Sequence, residues 1–353
     1  MTAPQAELSA TRISRKQALR GAAAVFGSLA LTAQQSASPA LAASRPAPRR
    51  TVRVGWTGAL CEAATFAALD AGFFAREGLD VRLVKLRDTN EAIDAISSGS
   101  IDATAGLLYA WLEPIARGLD VHISAGLHGG CVRLVAGRAS GIAELAEVKG
   151  ATIATDRIGG PSMNFFSSLL YKRGIDPGND VRWRAYSPAD FAAALDSGDA
   201  HVLAAGDPDT YRLVLAGNAR SITDKLSAGI FYCDQGIAHS HNCYTVLRGD
   251  LVRSNPRAAA ALTWAWTGAT RWVRAHIDDA ARLTAARISF GGDAAATATF
   301  LSSYGWHPSA DLALEEIELT ARDFKRAKLL DARTDPLDLA ERAYADVYAA
   351  VDA

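Results

Sequence analysis

The chain has 353 residues, 49% apolar and 21% charged, with a net charge of −1 at neutral pH. That length accommodates two domains with ordinary cores, and the composition is that of a globular protein. The lack of a basic block argues against a nucleic-acid partner.

At the N-terminus, Arg12, Arg15, Lys16 and Arg20 precede a short apolar stretch, Gly21 to Ala33, and Ala40-Leu41-Ala42 offers a small-x-small cleavage site. Residues 1–42 therefore read as an export signal. Ser14-Arg15-Lys16-Gln17-Ala18-Leu19 is similar to a twin-arginine signal with Lys for the second Arg, which leaves the Sec route open. Cleavage would remove four basic groups and Glu7 from totals of 37 and 38, giving a net charge of −4. No later segment approaches the roughly 20 unbroken apolar residues of a membrane span. The expected product is soluble and periplasmic, with residues 43–50 as a linker.

The body of the chain says the same thing twice. A strand at Val52-Arg53-Val54-Gly55, a turn, a helix and a strand opening at Gly78-Leu79-Asp80-Val81 are followed by a helix ending at Ser98-Gly99. Thr152-Ile153-Ala154-Thr155, a Gly-rich turn, a helix, Gly174-Ile175-Asp176, Val181 and a helix ending at Ser197-Gly198 repeat the order. Strand-to-strand spacing is 29 residues from Val52 to Val81 and 28 from Ile153 to Val181. Two matching βαβα units predict two α/β lobes with ligand-facing loops at their strand ends. Between them, Leu119 to Ile123 and Val132-Arg133-Leu134-Val135 read as strands. Tyr244-Thr245-Val246-Leu247 is a further β-prone run. After Asn255-Pro256 the spacing is helical over 258–276, 278–288, 294–304, 312–329 and 337–351. Lobe I is thus expected at 51–138 plus 246–353 and lobe II at 139–245, joined by a two-segment hinge near Val135 and Val246 that permits closure.

Thr57-Gly58-Ala59-Leu60-Cys61-Glu62-Ala63, the run Ala68-Leu69-Asp70-Ala71-Gly72-Phe73-Phe74-Ala75-Arg76-Glu77-Gly78-Leu79-Asp80-Val81 and Ser98-Gly99-Ser100-Ile101-Asp102-Ala103 carry a family likeness. They resemble the nitrate/sulfonate/taurine-type substrate-binding proteins of ABC importers, a superfamily that includes the thiamine-pyrimidine precursor group. The likeness covers Val52 to Ala205 in motifs and the rest in layout. It implies a type II periplasmic-binding-protein fold, a solute held between the lobes, and delivery to a permease and ATPase, by a monomer and without a cofactor.

Strand-to-helix turns expose backbone N–H groups that favour an anion. One such turn runs from Trp56 and Thr57 to Cys61 and Glu62. The other holds Arg157, Gly159, Gly160, Pro161, Ser162 and Met163, where the glycines admit a ligand, Pro161 suits a first helical turn, Ser162 offers a hydroxyl and Arg157 a counter-charge. Leu108 and Tyr109 in one half and Asp207 in the other sit at equivalent places after the repeated strands. Asp207 and Glu62 each read either as ligand contacts or as helix caps. Trp56, Tyr109 and Tyr186 follow strand ends and are the cleft aromatics, whereas Trp264, Trp266 and Trp272 on one helix are read as packing. The expected solute is a sulfonate- or nitrate-like anion, with a pyrimidine precursor or a transition metal as the alternative.

Cys61, Cys131, Cys233 and Cys243 fall at loops or crossovers. Export favours disulfides, Cys233–Cys243 or Cys131–Cys243. A soft-metal alternative uses His239, His241 and Cys243 on one face of an extended segment, with Cys233 or with His128 and Cys131. A third reading, in a different class, makes Cys61 a nucleophile with a lowered pKa at a helix N-terminus. That pattern is similar to the aromatic sulfinate desulfinases, but no histidine occurs between Cys61 and His122 where those enzymes place one. The protein is therefore expected not to be an enzyme.

Overall fold

The computed structural model describes residues 51–222, 241–288 and 293–352. The expected leader, the linker, Cys233 and His239 lie outside them.

The first βαβα unit forms β1 (Thr51–Trp56), α1 (Ala63–Asp70), α2 (Phe73–Arg76), β2 (Asp80–Lys85), α3 (Thr89–Ser97) and β3 (Ala103–Leu107). It continues through α4 (Leu112–Ala116), β4 (Val121–His128) and β5 (Val132–Gly137). The second unit comprises β6 (Thr152–Thr155), α5 (Pro161–Lys172), β7 (Arg182–Ala185), α6 (Phe191–Ser197), β8 (Val202–Gly206), α7 (Asp209–Leu215) and β9 (Ala219–Ser221). The chain then enters β10 (Cys243–Arg248), followed by α8 (Gly249–Ser254), α9 (Pro256–Ala275), α10 (Ile277–Ala285), α11 (Ala294–Ser302), α12 (Ala313–Arg326), α13 (Pro336–Ala343) and α14 (Ala349–Asp352). None of the described helices is long and apolar enough to cross a membrane.

Local chemistry sets these boundaries. Asp88 caps α3 by accepting from the Glu91 amide at 3.0 Å, and Asn255 does the same for Ala258 at the start of α9. The two repeated helices α3 and α6 both stop at a glycine in the left-handed region, Gly99 (φ 74°) and Gly198 (φ 79°), which is why Ser-Gly recurs in both halves.

Two five-stranded mixed sheets result, ordered β2-β1-β3-β10-β4 and β7-β6-β8-β5-β9. β1 pairs in parallel with β2, and Val52 and Val81 are register partners. In the second sheet Ile153 pairs with Trp183, two residues beyond the expected Val181. Each sheet has one strand antiparallel to both its neighbours, and that strand directly follows a crossing between the sheets: β10 lies between β3 and β4, and β5 between β8 and β9.

This corrects the expected lobe boundaries. Among the described residues β5 pairs with β8 and β9 of the second sheet, so the first crossing is the short link 129–131, not Val135. β10 begins at Cys243, so the return to the first sheet precedes 246. A strand's sheet membership depends on its partners, and the apolar run 132–135 carries no mark of which sheet it joins.

The C-terminal helices pack on the first sheet. Trp266 of α9 is buried beside Ala63 and Ala67 of α1 and donates to the Thr65 hydroxyl at 3.0 Å. Trp264, on the same helix but 41% exposed, stacks on Tyr348. Residues 305–309 run beside β4, with Gly126 bridging Ser309 and Gly129 bridging Gly305. A second core joins the two sheets' helices, with Tyr109, Phe165, Phe166 and Phe324 among its members.

Gly126 in β4 lies under the ring of His241. A Cβ there would stand 2.4 Å from His241 Cγ, and both ring nitrogens are anchored to the C-terminal region. Gly126→Ala is therefore expected to destabilise the fold by about 1–3 kcal/mol, the usual range for forcing a methyl into a packed site. Denaturant titration checks this, and an unchanged midpoint would mean that the ring moves freely.

Candidate functional site

The turn after β1 is built around a buried carboxylate. Glu62 lies in the 3-10 turn Leu60–Glu62 that leads into α1. Its oxygens accept from the amides of Thr57 (2.6 Å), Gly58 (2.7 Å) and Ala59 (3.0 Å) and from the Thr57 hydroxyl (3.1 Å). Burial and the neighbouring Cys61 push this carboxyl up to about 7, against the lowering effect of the Thr57 and Gly58 amides. The chain's own carboxylate thus fills the anion cradle that the sequence offers here, and Thr57 serves that carboxylate. Trp56 is half-buried, with Lys85 Nζ 3.9 Å from its ring centroid and Phe66 edge-on.

The turn before α5 is different. Gly160 precedes the helix, Pro161 opens it, and Ser162 is 4% exposed. The Gly159 amide faces Met163 Sδ at 3.1 Å and the Gly160 amide bonds Arg157 O. No acceptor for the Ser162 or Met163 amide appears among the described hydrogen bonds. Arg157 is half-buried, with no ion pair among the described residues. This turn meets the first lobe at Leu108 and Tyr109, because Asn164 Nδ2 donates to Tyr109 O at 3.3 Å. Leu108 and Tyr109 are themselves buried. Tyr109 packs 4.6 Å from Phe165, and its hydroxyl accepts from Asn242 Nδ2. Tyr186 follows β7 at the lobe II strand ends, under Arg184, and its hydroxyl is buried without a hydrogen bond.

Asp207 combines the two roles open to it. It caps α7 by accepting from the Thr210 hydroxyl (2.7 Å) and the Tyr211 amide (3.2 Å). It also pairs with buried Arg133 at 2.9 Å and accepts from the Tyr304 hydroxyl at 3.1 Å. Burial pushes this carboxyl up, while Arg133, Thr210 and Tyr304 pull it down. Arg133 reaches across to Ser303 at 2.6 Å and stands over the Tyr211 ring. Sequence reasoning missed Arg133 and Tyr304. A charged residue inside the apolar run 132–135 was the one available signal.

Three cysteines and a histidine meet where the chain crosses between sheets. Cys61, His128, Cys131 and Cys243 each place one donor atom within 4.8 Å of the others, and Cys131 Sγ and Cys243 Sγ are 3.6 Å apart. All three thiols are free. Cys131 is shifted towards the thiolate by hydrogen bonds from Cys243 and Cys61, and Cys243 is pushed up by the same contacts. The Cys61 thiol is raised, first by its hydrogen bond to Cys131. That is opposite to the lowering expected at a helix start, because the neighbouring sulfur and burial outweigh the short 3-10 turn.

His241 does not join this group. Its Nδ1 donates to Glu316 Oε2 at 2.7 Å and its Nε2 faces His307 O, so neither nitrogen is left as a ligand beside Cys243. The alternation of an extended segment does not survive the entry into β10, and His239 lies outside the described residues.

The NMT1-like family pattern matches residues 45–289, and the chain belongs to that family. Solved structures share its fold. The periplasmic aliphatic sulphonate-binding protein SsuA of Escherichia coli is 18% identical, with a TM-score of 0.67 over 85% of this chain and 99% of that one. The periplasmic nitrate-binding protein NrtA of Synechocystis PCC 6803 is 17% identical, with a TM-score of 0.67 over 86% and 88%. A zinc-bound ligand-binding component of an ABC-type import system from Staphylococcus aureus is 15% identical, with a TM-score of 0.65 over 84% and 99%. No curated protein sequence matches the chain. The fold is that of the type II periplasmic binding proteins, as the sequence motifs imply.

The His241 ring lies between a carboxylate and a carbonyl, an arrangement that favours its imidazolium form. Burial pulls its pKa down, but the Glu316 hydrogen bond and charge and the His307 carbonyl outweigh it, and the net shift is upward from 6.5. A raised pKa contributes stability that is complete below about 6.5 and lost as pH rises through the folded value. The melting-temperature gap between the parent and His241→Gln should therefore narrow from pH 6 to pH 9. A gap independent of pH would show that the ring is neutral throughout.

Proposed function

We propose that the protein is an exported receptor that takes a small anion between its two lobes and presents it to the permease and ATPase of an ABC importer. Membership of the NMT1-like family and the shared fold with sulfonate- and nitrate-binding periplasmic proteins support this reading. The observation that carries it is the asymmetry between the two turns. Glu62 occupies the amides after β1, whereas the Ser162 and Met163 amides at the start of the 12-residue α5 have no acceptor among the described hydrogen bonds. An anion there gains two N–H donors and the helix dipole. Arg157, Gly159, Gly160, Ser162, Met163 and Tyr186 on lobe II would hold it. Leu108 and Tyr109 would form the facing wall, and Trp56 and Cys61 with their turn would border it. His128 and Asp207 are assigned to the frame of the cleft.

Contacts across the cleft are polar at Asp207–Tyr304, Arg133–Ser303 and Asn164–Tyr109. These polar contacts can be exchanged with water on opening, whereas the packing of Tyr109 against Phe165 beside them is apolar and buried. The raised Cys61 thiol lacks the lowered pKa that the Cys61-nucleophile reading calls for.

Thermal unfolding and calorimetry with sodium nitrate, ethanesulfonate, taurine and an aminopyrimidine test this assignment. One of the anions should stabilise the protein, by about 2.7 kcal/mol at a hundredfold excess over its Kd. Ser162→Ala should weaken that anion about tenfold, as expected for the loss of a hydrogen bond to a charged group. Stabilisation by the aminopyrimidine alone, or anion binding unchanged in Ser162→Ala, would contradict the reading.

A further inference from the structure

We propose that Cys61, His128, Cys131 and Cys243 form a closed four-ligand site for a thiophilic d10 ion, Zn2+, at the junction of the two lobes. Their donor atoms lie within 4.8 Å of one another. The sulfurs of Cys131 and Cys243 are 3.6 Å apart. Two thiolates bound to one tetrahedral zinc at about 2.3 Å stand about 3.8 Å from each other, so this edge is already near its bound length. His128, Cys131 and Cys243 are at most 3% exposed, which shields them from competing ligands.

The histidine supplies an independent sign. His128 Nε2 lies 3.1 Å from Cys61 O. A carbonyl only accepts, so Nε2 is the donor in this contact and Nδ1 is the ring nitrogen left for a metal. That Nδ1 is buried and has no hydrogen bond. A buried polar atom without a partner is costly and calls for an explanation. An imidazole that donates one N–H to a backbone carbonyl while the other nitrogen stays bare is the usual state of a metal-ligating histidine. A disulfide accounts for less, since it joins two of the three sulfurs and leaves the third and the imidazole unexplained.

Three thiolates and one neutral imidazole fill a tetrahedron, so the ion has no open position and is structural. Binding displaces the thiol protons to solvent, and no electrons move. The four ligands come from the turn after β1, the end of β4, the crossing 129–131 and the first residue of β10. One ion therefore ties both passages of the chain between the sheets, whatever solute the cleft accepts.

The test uses the full chain, reduced, stripped with a chelator and reloaded with ZnCl2 or CoCl2. Elemental analysis should give one zinc per chain, and cobalt should show the thiolate charge-transfer and ligand-field absorption of a tetrahedral site. Cys61→Ser, at the half-buried ligand, should lower zinc affinity at least about tenfold and weaken the charge-transfer band. Cys233→Ala should do neither, with far-UV circular dichroism checking that each variant is folded. Absence of the tetrahedral cobalt spectrum in the folded, reduced parent would overturn the proposal. So would zinc uptake that Cys233→Ala abolishes and Cys61→Ser leaves intact, or a Cys131–Cys243 disulfide in freshly isolated protein that, once reduced, takes up no metal.

Discussion

Buried Asp207 carries one of the polar ties between the two halves of this molecule, beside the apolar packing of Tyr109 on Phe165. It caps α7 and neutralises Arg133 within the second lobe, and it accepts the Tyr304 hydroxyl from the C-terminal part of the first. A buried guanidinium without its carboxylate costs several kcal/mol, so Arg133 and Asp207 are interdependent. The contact with Tyr304 is a single hydrogen bond of roughly 1 kcal/mol net. Lobe II is therefore held firmly within itself and only lightly to lobe I at this point.

A similar contrast appears in the two strand-to-helix turns. The two halves repeat a strand, a turn and a helix, yet their turns have taken different chemistry. Glu62 makes the first self-sufficient, with its oxygens filled by Thr57, Gly58 and Ala59. The second, at Gly159 to Met163, leaves the Ser162 and Met163 amides without an acceptor among the described hydrogen bonds. A duplicated architecture thus yields one turn filled by its own carboxylate and one with two amides left without an acceptor among the described hydrogen bonds. Behind both, the chain crosses between sheets at the point where three sulfurs and an imidazole converge.

Much of this was legible in the sequence because it depends on local patterns. The Ser-Gly helix ends, Pro161 at the start of α5 and the onset of the helical run at Pro256 are set by short-range chemistry and appear where expected, whereas the helix expected over 337–351 is interrupted between Ala343 and Ala349. What was not legible depends on partners far along the chain. β5 joins the second sheet because β8 and β9 flank it. His241 turns from Cys243 because Glu316, 75 residues on, holds it. Of the cysteine cluster, the sequence offered His128, Cys131 and Cys243 together, but Cys61, 67 residues before His128, carries no spacing link to them. Glu62 was recognised as ambiguous, but that it fills three amides is a matter of turn geometry.

Small-angle scattering of the parent and of Asp207→Asn, with circular dichroism as a check on folding, tests most directly whether this carboxylate holds the lobes shut. A weakened latch should leave the secondary structure intact and give a larger radius of gyration, as the second lobe swings on its two crossings. Superimposable scattering curves from two folded proteins would show that something other than Asp207 keeps the halves together.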